Sequence, residues 1–472
     1  MKKNIIGREK QIQQLERALN SPNPELIAVY GRRRVGKTFL IKEYFNNKFD
    51  FYATGIYKGK QADEITAFCH GFQGAPIQKF KSWIDVFFAL KNFLSVIKKK
   101  KIIVFLDELP WFDIPPGSFL KAFEWFWNSW GSTKKGLKLI VCGSSTSWMI
   151  NKFISSKGGL YNRTTTRIYL PPFNLKESEA LLKHRGLNIS PSAVLDTFMV
   201  FGGIPYYLSL LDAKLSLTQN IDNLFFSHNA VLKEEYNFLL QSLFKDADYY
   251  KQILNAIGSK NKGVTRNEII SLAKITDNGT LSKALKNLIL SDFIREYGSF
   301  GKKKKESLFQ LTDPFLLFAQ RFVTKGNTYD SNYWKNLIGK PQYNAWKGIA
   351  FEEVCLLHSD QIKKALGIEG LSTTVGSWFF KGDEYSSGAQ IDLLIDRTDN
   401  VINICEMKYS DAPYEITKAL DNKVRERNGI FRSVTKTNKA IWNVIISPFG
   451  IKPGKYRETF SITLDINDLI KA

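Results

Sequence analysis

Residues 26–45 read LIAVYGRRRVGKTFLIKEYF, and the order of residue types in them points to one fold class. Leu26 to Tyr30 is a short apolar run expected to form a buried strand, and FLIKEYF at 39–45 carries the spacing of a helix. Between them lies GRRRVGKT, residues 31–38. Gly31 and Gly36 let the backbone turn so that the N–H groups of the loop, from Gly31 through Arg32, Arg33, Arg34 and Val35 to Gly36, face inward around phosphates. Lys37 can reach the terminal phosphates, and the Thr38 hydroxyl can hold Mg²⁺ at the helix N-terminus. ATP and Mg²⁺ are the cofactors this cradle predicts.

Such a fold needs a second strand ending in an acid, and KIIVFLDELPW (101–111) supplies it. Its all-apolar centre is typical of a parallel strand buried on both faces. Asp107 is the expected Mg²⁺ partner through water, and Glu108 the group that orients or deprotonates the attacking water. A third apolar run, LKLIVCGSS (137–145), ends at Ser144 and Ser145, polar candidates for contact with the γ-phosphate or its water. In GGLYNRTTTRIYLPPF (158–173), Arg163 and Arg167 are expected on an exposed segment. An arginine there can neutralise transition-state charge on a neighbouring subunit's nucleotide, which implies a homo-oligomer.

The chain has 472 residues, enough for roughly three folding units. Its 67 Lys+Arg against 45 Asp+Glu give a formal charge of +22, so a polyanion such as nucleic acid is a natural partner. Cys69, Cys142, Cys355 and Cys405 are far apart and suggest neither a disulfide framework nor a zinc site. Only Ile5 and Ile6 are apolar between Lys3 and Gly7, and no uninterrupted apolar run reaches the ~18 residues of a membrane span. A cytoplasmic protein without a membrane partner is expected.

IIGREKQIQQLERAL, GRRRVGKT, DELPW, GSSTSWM, LYNR and FGGIPYYL, in this order, resemble the prokaryotic AAA-type ATPases of the archaeal-ATPase group, a branch close to the STAND signalling NTPases. The resemblance spans roughly the first half of the chain. It implies an adenine-side role for Gly7 and Arg8 in the GRE box, and an arginine finger at Arg163. The family usually has glycine before that arginine, where this chain has Asn162.

Between Tyr249 and Phe322 the pattern is helix (YYKQILNAI), turn, helix (TRNEIISLAK), turn, helix (TLSKALKNLILSDF), then a strand pair around YGSFGKKKKESLFQLT. Three helices and a basic hairpin predict a winged helix-turn-helix. In the third helix Leu281, Ala284, Leu285, Leu288 and Ile289 form the inward stripe, leaving Ser282, Lys283, Lys286 and Asn287 outside, with Lys302 to Lys305 tipping the wing. DNA contact through that face is one expectation, and a module for packing or protein contact is the other. The segment also resembles the winged helix that follows the lid in the same ATPase family.

At the back, WKGIAFEEVCLLHSDQIKKAL (346–366) reads as a helix with Glu352 and Glu353 near its start. GAQIDLLIDR (388–397) and VINICEMKYS (401–410) follow as neighbouring strands. Side chains alternate across a strand, so Glu406 and Lys408 share a face with Ile402 and Ile404. Charges against apolar neighbours are costly unless they pair or serve a metal. Asp392 and Glu406 on adjacent strands can hold Mg²⁺ by oxygen, Lys408 can orient or activate a water, and Glu352 can complete the cluster. The arrangement resembles the PD-(D/E)xK nuclease superfamily, with Glu352 as the helix acid, Asp392 as the first strand acid and Glu406 with Lys408 as the E-x-K; the naming proline is absent before Asp392.

The expected architecture is therefore multidomain α/β. A P-loop NTPase parallel sheet occupies 1–175, a helical lid 176–245, a winged helix 246–325 and a connector 326–345. A restriction-endonuclease-like α/β domain fills 346–472. The expected function is ATP hydrolysis controlling a Mg²⁺-dependent nuclease, against the alternative of a STAND-like switch whose last domain only binds nucleic acid or protein.

Overall fold

A computed structural model describes residues 4–72, 80–114, 118–155, 159–160, 162–260, 263–298, 300–301, 307–324, 330–384 and 387–472. The chain divides into two compact units, 1–172 and 173–472.

The first unit is built on β1 (Glu25–Tyr30), β2 (Phe51–Thr54), β3 (Ile102–Asp107), β4 (Leu137–Gly143) and β5 (Thr166–Tyr169). They form one five-stranded sheet of order β2-β3-β4-β1-β5, with every pair parallel. Leu26, Ile27, Ala28 and Val29 are fully buried, as befits a central strand covered on both faces. Helix α1 (Glu9–Asn20) precedes β1 and α2 (Lys37–Tyr44) follows the loop. Helices α3 (Trp83–Ser95) and α4 (Phe119–Ser129) contribute to an aromatic core in which Trp83, Phe87, Phe119 and Phe123 are buried. Phe112, just after Glu108, stacks on Phe119 at 5.1 Å and meets the edge of Trp83 at 5.7 Å. The loop bearing the second acid is thereby anchored from below.

Gly31 cannot be replaced without moving the backbone, since a Cβ there would lie 2.2 Å from the Leu170 carbonyl oxygen. Gly36, at φ 91°, adopts the left-handed conformation that lets the loop enter α2.

The second unit begins with α5 (Leu175–His184) and α6 (Pro191–Phe201). Asn174 and Glu177 close a capping box on α5, and Ser190 caps α6 ahead of Pro191. Helices α7 (Ala247–Gly258), α8 (Arg266–Ala273) and α9 (Gly279–Leu290) follow. They accompany a three-stranded antiparallel sheet of order β6-β8-β7, from Val264–Thr265, Leu308–Leu311 and Ile294–Tyr297. The expected strand pair thus gains a third, short member. In α9, Leu281, Ala284, Leu285 and Leu288 are buried as the stripe predicts, whereas Ile289 is half-buried. Ser282, Lys283 and Lys286 are exposed, but Asn287 turns toward α7 and donates to the Tyr250 hydroxyl at 2.8 Å. Lys302 to Lys305 lie outside the described residues. Next to them Phe300 donates its N–H to the Ser377 carbonyl at 2.7 Å, and its ring meets Phe431 at 5.4 Å. Phe300 itself is therefore held by two segments of the C-terminal domain, one around Ser377 and one around Phe431.

Helix α10 runs from Pro341 to Leu357. It starts before the expected boundary at 346, because Pro341 in its first turn is compatible with helix initiation, so Glu352 and Glu353 lie past its middle rather than near its start. The helix is capped at His358, short of the expected end at 366, and Leu357 in its last turn is 41% exposed. The last sheet has the order β13-β12-β11-β10-β9. Strands β9 (Thr373–Phe380), β10 (Ala389–Arg397) and β11 (Val401–Met407) are antiparallel, and β12 (Ala440–Ile446) and β13 (Ile462–Leu464) continue in parallel. Helix α11 (Lys418–Thr435) connects β11 to β12, and α12 (Ile466–Lys471) packs on α5 and α6.

Candidate functional site

The loop between β1 and α2 carries its lysine inward. Lys37 is buried, and its Nζ donates to the carbonyls of Gly31 at 2.9 Å and Arg32 at 2.8 Å. Thr38, the next residue, donates its hydroxyl to Asp107 Oδ1 at 3.1 Å across the sheet. This hydroxyl–carboxylate pair is the hard oxygen donor set that Mg²⁺ prefers, so the residues fit that ion. Burial, reinforced by the charge of Glu108, raises the Asp107 carboxyl above its ordinary range. A cation would relieve that cost.

Glu108 is in the left-handed region at φ 49°. Its Oε2 accepts from the Ser144 N–H at 3.0 Å and the Ser144 hydroxyl at 2.7 Å. The acid after β3 and the serine after β4 are thus in direct contact. The buried Cys142 hydrogen-bonds Asp107; burial pushes its thiol well up, and the Asp107 charge adds to this.

Arg8 and Gly7 both have positive φ. The Arg8 guanidinium is buried and donates to the Pro171 carbonyl at 2.7 Å and the Val35 carbonyl at 3.1 Å. It braces the phosphate loop against the segment after β5. Within the loop Arg32 and Val35 are buried, while Arg33 and Arg34 are half-exposed. Arg163 is exposed, its N–H bonded to the Leu160 carbonyl at 3.1 Å.

In the second unit, Glu352, Asp392, Glu406 and Lys408 line one cavity of about 570 Å³ together with Gln390, Lys423 and Arg427. The acids come from α10, β10 and β11, as the sequence predicts. A register shift in the β9–β10 ladder between Ile391 and Leu394 brackets Asp392, and such a bulge re-aims a side chain. Asp392 accepts a hydrogen bond from Gln390. Burial and then the charge of Asp392 push the Glu352 carboxyl up to about 7.

Glu406 departs from the expectation of an open metal ligand. Lys408 Nζ sits 2.7 Å from its Oε1, and Arg427 pairs with its Oε2. Burial opposes its charge, but Arg427 and Lys408 outweigh burial and hold the carboxyl low. For Lys408, burial is likewise outweighed, chiefly by Glu406, and the amine stays protonated. Among the described residues no three acids, histidines or cysteines are grouped to hold a metal. Glu406 is thus already neutralised by two cations, Lys408 and Arg427. Arg427, Lys423 and Gln390 were missed in the sequence reading. The available signal was the i,i+4 spacing of Lys423 and Arg427, which puts both on one face of α11.

Comparison with known proteins gives this geometry a context. Residues 5–211 match the model of an ATPase domain predominantly from Archaea, a stretch that includes β1–β5 and reaches through α5 and α6. The uncharacterized protein MJECL04 of Methanocaldococcus jannaschii is 26% identical over 445 residues, covering 93% of this chain and 92% of that one. From the same organism, the uncharacterized ATP-binding protein MJ0423 is 49% identical over 44 residues, 9% of this chain and 75% of that protein. The solved structure of the Walker-type ATPase PABY2304 of Pyrococcus abyssi superposes with a TM-score of 0.50 at 19% identity, covering 68% of this chain and 97% of that one. The protein is a multidomain α/β chain that carries an archaeal-type ATPase domain on a P-loop parallel sheet. No helix among the described residues is long and apolar enough to cross a membrane.

Proposed function

We propose that this protein hydrolyses ATP and acts on DNA, its nucleotide state controlling a Mg²⁺-dependent phosphodiesterase site of PD-(D/E)xK type in the last domain. The observation that carries the proposal is the convergence of Glu352, Asp392, Glu406 and Lys408 on one cavity in a chain that also bears an ATPase domain. The domain division we adopt is ATPase core 1–175, lid 176–245, winged helix 246–325, connector 326–345 and nuclease-like domain 346–472.

In the ATPase site Lys37 faces the β- and γ-phosphates, and Glu108, oriented by Ser144, takes the proton of the attacking water. Gly7 and Arg8 frame the adenine side, and the exposed Arg163 reaches a neighbouring copy's nucleotide. Thr38 and Asp107 would hold Mg²⁺, which neutralises phosphate charge when bound. In the C-terminal site Mg²⁺ would be held by Asp392, with Glu406 exchanging a cation for it, and would polarise a phosphodiester. Lys408 acts there as an ammonium that orients water or phosphate. The exposed Ser282, Lys283 and Lys286 of α9 and the net charge of +22 support a DNA backbone contact.

The second reading, a nucleotide-controlled switch whose last domain only binds, is favoured by the double ion pairing of Glu406. One assay separates the two. Single-stranded, duplex and branched DNA and RNA are offered with Mg²⁺ or Mn²⁺, with and without ATP. Cleavage lost in Lys408→Ala supports the phosphodiesterase; equal inertness of wild type and variant on all substrates leaves the switch.

A further inference from the structure

Lys347 is a buried cation with no role in either site described above. It lies on α10, five residues before Glu352. Five helical residues are about 140° around the axis and about 7.5 Å along it, so what grips Lys347 holds α10 from a different side than the one presenting Glu352. Its Nζ lies 3.0 Å from Asp411 Oδ1 and 3.3 Å from Asp196 Oδ1. Asp196 belongs to α6, inside the stretch that matches the ATPase family; Lys347 and Asp411 lie outside it. The Tyr409 hydroxyl is 2.8 Å from Asp411 Oδ1 and 3.4 Å from Asp196 Oδ1, and the Lys347 ammonium sits 4.4 Å from the Tyr409 ring centroid. The Tyr409 ring also meets that of Phe351, the neighbour of Glu352, at 5.9 Å.

Tyr409 follows Lys408 directly, so this cluster fixes the chain just beyond the E-x-K strand. One cation is thus shared by three segments: α6, the helix carrying Glu352, and the loop leaving Lys408. Burial opposes the charge on Lys347, but Asp196, Tyr343 and Asp411 outweigh it, so the amine remains an ammonium. A buried ion whose partner is removed is strongly unfavourable, which makes the joint stiff.

We propose that Lys347 is a positioning residue, clamped by Asp196 and Asp411, through which helix α6 sets the placement of Glu352 and Lys408. Its consequence for cleavage rests on the phosphodiesterase reading above; its consequence for the loop does not. The link runs through named contacts, and coupling between Asp196 and Asp411 is measurable by a double-mutant cycle.

The test uses the full chain with Asp196→Asn, Asp411→Asn, their combination, Lys347→Arg and Lys347→Met. Amide hydrogen exchange is followed at residues 405–412 without metal or substrate. Asp196→Asn should speed exchange at Lys408 to Ala412 at least tenfold, non-additively with Asp411→Asn, while exchange in β12 stays at the wild-type rate. On whichever nucleic acid the wild type cuts, kcat should fall about tenfold with KM unchanged, and Lys347→Arg should retain both readouts. Wild-type exchange and kcat in Asp196→Asn, or a uniform rise in exchange over the whole second unit, would overturn the proposal. If Lys347→Met does not fold, Asp196→Asn carries the test, since that carboxylate is already 32% exposed. Should the wild type cut nothing, the phosphodiesterase reading falls, and the local exchange result alone decides the positioning role.

Discussion

Glu108 accepts two hydrogen bonds from a single residue, Ser144, one from its backbone N–H at 3.0 Å and one from its hydroxyl at 2.7 Å. The residue that follows β3 and the residue that follows β4 are therefore held together. Ser144→Ala removes the hydroxyl bond and leaves the backbone bond, so ATP turnover should fall by about tenfold with nucleotide affinity unchanged. Glu108→Gln should keep nucleotide and lose turnover by about 10²-fold or more, the range expected for a general base. Single-turnover hydrolysis beside a nucleotide titration checks both, and normal turnover by Glu108→Gln removes its assigned role.

Lys37 bonds two carbonyls of its own loop. Lys37→Ala should weaken ATP binding by more than tenfold, measured by titration with a fluorescent nucleotide. Undiminished binding would contradict the phosphate cradle.

His358 bridges α10 and α5 as a neutral imidazole. Nδ1 lies 2.7 Å from the Val354 carbonyl, and Nε2 accepts from the Leu175 N–H at 2.9 Å, so the proton resides on Nδ1. Burial lowers its pKa to about 4. The unfolded chain takes up a proton below the ordinary histidine pKa and the folded chain does not, so stability falls as pH drops from about 6.5 toward 4. The full loss is about 3 kcal/mol. Urea unfolding between pH 7 and 4 should show this slope, and His358→Gln should flatten it.

Glu353 is buried against Arg295 and Asp313, with its Oε1 lacking a hydrogen-bond partner. Burial pushes its carboxyl up to about 7 despite Arg295. A raised carboxyl takes up protons in the folded state, so its contribution declines as pH rises from about 4.5 through 7. Glu353→Gln should therefore raise the melting temperature at pH 8 more than at pH 5. A lower melting temperature at pH 8 would show that the ionised form is needed.

Arg427 closes one oxygen of Glu406. Arg427→Gln should tighten Mn²⁺ binding several-fold, seen by calorimetry with Asp392→Asn as the control that abolishes it, and should lower stability by about 3 kcal/mol because a buried pair is broken. Unchanged Mn²⁺ binding would mean that the pairing does not compete with a metal.

The phosphate loop was legible because its signals are local. An apolar strand, two glycines at fixed spacing and a Lys-Thr at a helix start lie within a dozen or so consecutive residues, and Gly31 and Gly36 are needed for backbone reasons visible in the residue type itself. Asp107, Glu108 and Ser144 were readable for the same reason, since each lies at or just after the end of an apolar strand. The E-x-K face of β11 followed from strand alternation, yet the partner of its glutamate did not. Arg427 is 21 residues away on a helix with several basic residues, and only packing selects which of them reaches Glu406.

By itself the amino-acid order determined the parallel-sheet cradle, the acids that end its strands and the order of acids in the last domain, because hydrophobic period and backbone freedom act over short range. Tertiary structure decided which side chains meet: Arg427 with Glu406, Lys347 with Asp196 and Asp411, and Phe300 with Phe431. Those pairings depend on how helices and sheets pack across long sequence separations, where many similar side chains compete and burial chooses among them.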